Sequence, residues 1–356
     1  MAPLRSMGNI GNMYSPYEDV FASTGKDTQS PYPNMFPYGN RGIWGGGSGN
    51  EQPGTGPQSE RNYIEYIDIA TTGNSTDFGD LVSNRDVMAG QVSSRVRGIF
   101  AGGRGHTDVI QYITIASPGN ATDFGDLTES RTGPGGGSST TRGVFAGGSQ
   151  NPGSVPGGYG MNVIDYVTID TTGDATDFGD LPYSRYGMFT ASTGPAGEIM
   201  YMFGGDDGDE KDDMAYLNIA TTGNATNMWG RLDSGGNQGN KSLGGAAASA
   251  SRMVIAGGRC DQSPPAGHRV SLIEYLAYGS GGNTQTFGDL LQPNFFCTAT
   301  SSGDSLARMV ISGGDAGGTV KNIMQYISIP TTGDATDFGD LLSTKQRASG
   351  LSGDAA

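Results

Sequence analysis

Histidine and cysteine are almost missing from this chain of 356 residues, which has only His106, His268, Cys260 and Cys297. Two cysteines make no disulfide framework, and each suits the role of a small buried apolar residue. Clusters of basic residues are missing as well. Lys and Arg total 21 against 36 Asp and Glu, a net charge of −15 and a pI near 4.4. Phosphate binding depends on clustered Lys and Arg, so nucleic acid is not an expected partner. No apolar run approaches the roughly 18 residues of a membrane span, and the N-terminus lacks a charged-then-apolar signal pattern. The expectation is a chain made and folded in a cytoplasm, with no membrane insertion. The G-x-S-x-G elbow and the H-E-x-x-H helix do not occur. A Ser-His-Asp constellation stays open, because its members need not be close in sequence. The glycine-rich GGSGNEQPGTG and GGGSS lack the Lys-Ser/Thr of a phosphate loop and read as flexible loops.

What the chain has in excess is glycine, 62 residues, beside only 35% hydrophobic residues. The glycine has no three-residue period and sits among regular apolar segments, which points to short strands and many turns. Three markers recur in fixed order, six times each. The first is an apolar strand ending in a glycine pair: GIWGGG, GIFAGG, GVFAGG, MYMFGG, MVIAGG and MVISGG. The second is a strand around a tyrosine: NYIEYIDIA, DVIQYITIA, NVIDYVTID, DMAYLNIA, SLIEYLAYG and NIMQYISIP. The third is ATDFGDL and its variants, with the aromatic at Phe78, Phe124, Phe178, Trp229, Phe287 and Phe338. Glycine pairs are spaced 45 to 57 residues apart. That period, with a few strands per unit, predicts propeller blades. The tyrosine strands are apolar on both faces, as in a sheet covered on both sides. The T-T-G-N/D that follows predicts a tight hairpin. The glycine pairs, among them Gly102, Gly103, Gly147 and Gly148, are expected where blades converge and a Cβ has no room.

The chain ends predict how the ring closes. Residues 343–353 look like the first strand of a blade with no second strand, and the unit starting at Arg41 has no first strand. The C-terminal segment is therefore expected to complete the first of six blades, leaving no open sheet edge.

The third marker contains Asp-Phe-Gly, which holds magnesium in protein kinases. A kinase needs that triplet once, with a glycine-rich strand and a catalytic loop around it. Here it is spelled in full four times, so it reads as construction. Five units carry Asp in FGDL (Asp80, Asp126, Asp180, Asp289, Asp340), and five carry Arg before the glycine strand (Arg41, Arg97, Arg142, Arg252, Arg308). The fourth unit has Arg231 and Ile199 at those places. This joint change predicts a repeated Asp–Arg ion pair, which would leave the aspartates unable to hold a metal.

A glycine pair, a tyrosine, and a Trp or Phe about a dozen residues on, at this period, resemble the kelch repeat over residues 41–356. The departure is the aromatic, usually Trp in kelch repeats. The wording ATTGNATDFGDL beside RGVFAGG is similar to kelch-like structural proteins of tailed bacteriophages, notably marine ones. That resemblance implies a non-enzymatic virion subunit associated with tail, neck or fibre. Its implied partners are other virion proteins, including copies of itself, and a host surface glycan. Its location would be the virion, after assembly in the host cytoplasm, and no cofactor is implied. The kelch resemblance also admits a rival, a carbohydrate-active or copper-dependent oxidase.

Residues 1–40 lie outside the repeat. Five prolines (Pro3, Pro16, Pro31, Pro33, Pro37) bias them to extended form, and Tyr14, Tyr17, Phe21, Tyr32, Phe36 and Tyr38 are rings with surface to bury. They read as a docking arm, placed on a neighbouring subunit or on the chain's own ring. The loops after the glycine pairs (48–61, 104–108, 149–161, 206–213, 259–271, 315–321) differ most between units. They are expected to share one face, the candidate binding face, with His106, Tyr159, Asp206, Asp207, Asp209 and His268 on it. The run DDGDEKDD at 206–213 has the oxygen ligands calcium takes, but not EF-hand spacing, and reads first as a solvated acidic loop.

Overall fold

A computed structural model describes residues 39–49, 59–85, 90–103, 105–150, 160–193, 198–232, 239–249, 251–260, 268–278, 282–302 and 307–353. Contacts divide the chain into 1–35 and 36–356. The arm residues Tyr14, Tyr17, Phe21, Tyr32, Phe36 and Tyr38, and the loop residue Tyr159, fall outside the described residues.

The repeat body is all-β, a six-bladed propeller of antiparallel sheets. In blade 3 the order from the axis outward is Gly135–Ser138, Arg142–Ala146, Met161–Thr168, Thr176–Arg185, and the other blades follow the same plan. Each sequence marker is thus one strand: glycine strand second, tyrosine strand third, FGDL strand outermost. The innermost strands carry small residues because they crowd the axis. A Cβ on Gly136 would lie 2.1 Å from the Gln91 carbonyl oxygen, and one on Gly135 would lie 2.3 Å from Thr190 Cγ2.

Blade 1 is closed by the far end of the chain, as the sequence predicts. Ser349–Gly353 pairs antiparallel with Arg41–Gly45, in the register Arg41↔Gly353 to Gly45↔Ser349. Blade 1 then has an innermost strand like the others, and every blade has both faces covered by a neighbour.

The hydrophobic residues form six clusters, one in each gap between neighbouring blades, instead of a single core. Ile64, Phe78 and Leu81 of blade 1 pack on Phe100 and Ile113 of blade 2, and Phe338 and Leu341 of blade 6 pack on Trp44 and Ile67 of blade 1. This is why the tyrosine strands are apolar on both faces. The phenylalanine reaches the gap through a bulge. Between Ile164↔Gly179 and Asp165↔Asp177 the outer strand of blade 3 has one extra residue, Phe178, and Tyr166 meets it edge-on with ring centroids 5.9 Å apart.

Blade 4 departs from the sequence reading. Its outer strand has two extra residues between Asp213↔Arg231 and Ala215↔Asn227. Met228 takes the inner place that phenylalanine holds elsewhere, packed against the cluster of Phe203 and Met214. Trp229 is pushed out of the sheet and is 95% exposed. Trp229 is therefore an insertion, not the equivalent of the phenylalanines.

Two glycine expectations also shift. The tight turn after the tyrosine strand is Asp68–Thr71, where Thr71 N–H donates to the Asp68 carbonyl, and the Gly-Asn that follows reaches the preceding blade instead. The glycine pairs lie at one end of the blades, not at their convergence. Gly102 and Gly103 have φ of 76° and 140°, and Gly147 and Gly148 have 62° and 107°. These left-handed conformations favour glycine. They let Gly103 N–H reach the Arg131 carbonyl and Gly148 N–H the Arg185 carbonyl, fastening the chain where it leaves each blade.

Deleting 343–356 removes the closing strand and exposes the edge of Arg41–Gly45. The truncated chain is expected to lose cooperative thermal unfolding, measured by circular dichroism. Melting at the full-length temperature with equal cooperativity would refute closure as the organising contact.

Candidate functional site

The Asp-Phe-Gly-Asp segment is a blade-to-blade joint. In all six blades the N–H of the residue after the glycine donates to an Asn or Asp side chain of the next blade. The pairs are Asp80–Asn120, Asp126–Asp174, Asp180–Asn224, Arg231–Asn283, Asp289–Asp334 and Asp340–Asn74, at 2.9 to 3.1 Å. Backbone bonds flank the joint, such as Gly173 N–H to the Phe124 carbonyl and Ala175 N–H to the Asp126 carbonyl. A Cβ on Gly125 would sit 2.5 Å from the Gly173 backbone, so only glycine lets the blades approach this closely.

The predicted Asp–Arg ion pairs do not form. Asp126 is exposed, and its carboxyl pKa is raised, first by partial desolvation and then by Asp108, Asp174 and Asp123, with no arginine among its neighbours. The arginines have other work. Arg41, Arg97, Arg142, Arg252 and Arg308 lie 4.3 to 4.7 Å over Tyr66, Tyr112, Tyr166, Tyr275 and Tyr326 of their own blades. From there Arg41 donates to Ile115 O of the next blade, Arg97 to Ile169 O, Arg142 to Ile219 O and Arg308 to Ile69 O. Where Ile199 replaces the arginine, Tyr201 stacks on Tyr278 of blade 5 at 5.6 Å and 11°. The changes at Ile199 and Arg231 therefore have separate causes, since Arg231 pairs with Asp212 at 2.7 Å.

Buried ion pairs do join the blades, between residues the sequence reading did not single out. Glu65, Gln111, Asp165, Glu274 and Gln325 occupy one place on the tyrosine strands, all fully or almost fully buried. Asp165 accepts the N–H of Thr128 in the preceding blade, Gln111 that of Val82, Gln325 that of Leu291, and Glu65 that of Leu342. The acids also take a cation from the end of the preceding blade. These pairs are Arg131–Asp165 at 2.5 Å, Lys345–Glu65 at 2.6 Å, and Lys241–Glu274. Burial lowers the Arg131 pKa, and Asp165 opposes that shift. Blade 4 has Ala215 at this place, and the residue opposite is Pro182, which has no N–H to give. Its cation, Arg185, turns instead to Asp213 at 2.7 Å and Asp207 at 2.8 Å. Pro182, Arg185, Asp213, Ala215 and Asn227 line a small cleft there.

The acidic run 206–213 is neither a solvated loop nor a set of free calcium ligands. Asp206 and Glu210 are buried. Asp206 accepts from Tyr186 Oη at 2.9 Å and from Gly208 N–H at 2.6 Å, and burial with Asp206 raises the Tyr186 pKa. Partial burial pushes the Asp207 pKa up, but the Lys211 and Arg185 charges outweigh it and hold the group below its usual range. Glu210 meets Arg259 of blade 5 at 3.0 Å, so the loop ties blades 3, 4 and 5. Asp209 is exposed. Among the described residues, no three His, Cys, Asp or Glu are grouped to hold a metal ion.

The post-pair loops and the turns into the innermost strands share one face, joined by the bridges Ser48↔Gln346, Thr132↔Ser149, Tyr186↔Asp206, Ser242↔Arg259 and Phe295↔Asp315. His106 lies there, half-buried, with Nδ1 3.1 Å from the Ser149 carbonyl oxygen. His268 pairs through its backbone with Cys260. Of the expected loop residues that are described, Asp206, Asp207 and Asp209 share the blade 4 loop, while His106 and His268 lie on blades 2 and 5. Cys297 is buried beneath this face, its thiol pushed up by burial to about 12, so it stays a thiol at neutral pH.

At the centre of this face the turn residues Gly133, Gly187, Leu243, Phe296 and Arg347 all adopt φ between 56° and 68°. Leu243 N–H donates to Gly187 O, Phe296 N–H to Leu243 O, and Arg347 N–H to Phe296 O, in a backbone ladder around the mouth. Leu243, Phe296 and Arg347 hold a conformation unfavourable for a side-chain-bearing residue, which no sequence pattern announces. Below the mouth, Ser93, Ser138, Ser301 and Ser352 each donate a hydroxyl to a carbonyl of the preceding blade. The cavity they line holds about 50 Å³, room for a few waters.

Compared with models of known protein families, the chain matches none, and it matches no curated protein either.

Lys241→Met strands the buried Glu274 carboxylate and is expected to cost about 3–5 kcal/mol in urea unfolding, most of it recovered by adding Glu274→Leu. Asp126→Lys should move stability by less than about 0.5 kcal/mol, as for other surface sites, and a loss restored by Arg142→Asp would reinstate the rejected pair. Replacing Pro182 by Leu and Ala215 by Gln supplies the missing donor and acceptor. A double-mutant cycle on these two positions should show about 1 kcal/mol of favourable coupling, and additivity would refute the shared role.

Proposed function

We propose that this chain is a non-enzymatic, kelch-like structural subunit of a tailed-phage particle, associated with tail, neck or fibre. It assembles through residues 1–40, contacts other virion proteins and copies of itself, and presents its loop face to a neighbouring protein or a host glycan. One observation carries the reading. The repeated backbone groups and buried polar side chains join blade to blade, while the described parts of the loops that differ most between blades share one face. A rigid body of that kind is a scaffold with a variable surface. The repeat wording, similar to phage kelch-like proteins, supplies the virion setting. Many weak subunit contacts then sum, because assembly makes the later ones intramolecular.

The test is to purify particles, detect the subunit by mass spectrometry, and locate a C-terminal label by electron microscopy. The expected result is label at the tail, neck or fibre, lost when residues 1–38 are deleted from an otherwise folded chain. Absence from purified particles, or stoichiometric copper in the purified protein, would overturn the proposal.

A further inference from the structure

Trp229 is one of two tryptophans; the other, Trp44, is fully buried. An indole left 95% exposed costs apolar burial, and the other five blades carry no residue at this inserted place. The insertion that ejects it occurs in one blade of six, and the side chains beside it on the strand have defined partners. Along Thr226–Arg231, Asn227, Trp229 and Arg231 are the exposed positions flanking the half-buried Met228 and Gly230. Asn227 Nδ2 donates to Tyr183 Oη of blade 3 at 3.2 Å. Arg231 Nη1 donates to both oxygens of Asp212, at 2.7 and 2.9 Å. Tyr183 is itself 47% exposed and close enough to Arg231 to act on its charge.

Asn227 and Arg231 thus flank the indole on the strand, Asn227 held by Tyr183 and Arg231 by Asp212. The result is one bare aromatic face, edged by a carboxamide, a guanidinium, a carboxylate and a phenol, each already held by a partner. We infer that the strip of Tyr183, Asn227, Trp229, Arg231 and Asp212 is a carbohydrate-binding subsite on the rim of blade 4. A pyranose presents an apolar face of C–H bonds to stack on an indole, and an equatorial belt of hydroxyls that planar amide, guanidinium and carboxylate groups bond in pairs. A protein partner fits less well, since a protein hot spot sits in an apolar core ringed by polar groups, and here the described neighbours of the indole offer polar groups instead. The inference rests on the surface-recognition half of the proposed function and not on the virion location. It places saccharide contact on the rim, away from the loop face.

The test uses the full chain on an array of pyranose oligosaccharides that includes maltohexaose, cellohexaose and deacylated lipopolysaccharide core, with each hit titrated by tryptophan emission. Trp44 is shielded, so a ligand-dependent change reports Trp229. At least one probe is expected to bind. Trp229→Ala, at a 95% exposed position, should weaken that binding about tenfold or more, and Trp229→Phe should keep part of it. Asn227→Ala and Arg231→Ala should each weaken it by a smaller factor. No probe binding below about 10 mM, or equal binding by Trp229→Ala, overturns the subsite. Particles carrying Trp229→Ala should still contain the subunit, which separates failure here from failure of the virion reading.

Discussion

The structure depends on the contact between one blade and the next. A four-stranded sheet of this composition has no interior of its own, and its apolar side chains are buried only when a second blade covers them. The joint that sets the distance is the glycine of Phe-Gly-Asp against the glycine of the following unit's Thr-Gly-Asn/Asp. Carbonyl and amide meet there with no side chain between them. Once that spacing is fixed, Phe178 reaches the cluster of Met200 and Leu217, and Arg142 can span from its own Tyr166 to the carbonyl of Ile219. Six joints in a ring leave no terminal blade, because the last strand belongs to the first sheet.

The buried polar groups add pairing rules to this spacing. Burying a carboxylate is unfavourable unless its partner arrives, so each pair specifies its neighbour more dependably than it raises net stability. Asp165 requires Arg131, Glu274 requires Lys241, and Glu65 requires Lys345. Between blades 5 and 6 the same place is neutral. Asn294 donates to the Gly313 carbonyl, and Gln325 accepts the Leu291 N–H. A blade paired out of order would leave a charge facing an amide or a proline. Lys345 lies in the closing segment, so the same rule that orders the blades selects the strand that ends the ring.

The six units, the strand order within each and the crossing of 343–353 to blade 1 were legible because period, apolar pattern and missing strands are properties of sequence. The partners of the repeated polar residues were not. Covariation of Ile199 with Arg231 suggested contact, yet those residues act at different joints, and one divergent unit changes many positions at once. The covariation that reports a contact is Pro182 with Ala215, a lost donor beside a lost acceptor. It was hidden because the acceptor place reads as Glu, Gln or Asp in other blades and looks like ordinary variation. The insertion at Trp229 was invisible for another reason. An aromatic aligned with aromatics looks correct, and only the added residue in the register shows that Met228 fills the inner place.

These departures gather in blade 4 and its two joints: Ile199, Ala215, Trp229 and Arg231, with Pro182 on the facing blade. A drifting repeat would scatter its exceptions, whereas here each loss has a local replacement. Tyr201 on Tyr278 stands in for the arginine bridge, and Arg185 with Asp207 and Asp213 stands in for the missing acid. The replacements keep blade 4 in the ring while freeing its outer strand from the pattern that binds the others. The acidic run that the sequence marks as a metal candidate belongs to the same adjustment, since Asp206, Asp207 and Asp213 hold blade 4 to blade 3 where the regular latch is absent, and Glu210 adds a tie to blade 5. What the fourth unit gives up in regularity appears on the surface as one exposed indole with its polar neighbours already in position, and that is where the ring differs chemically from itself.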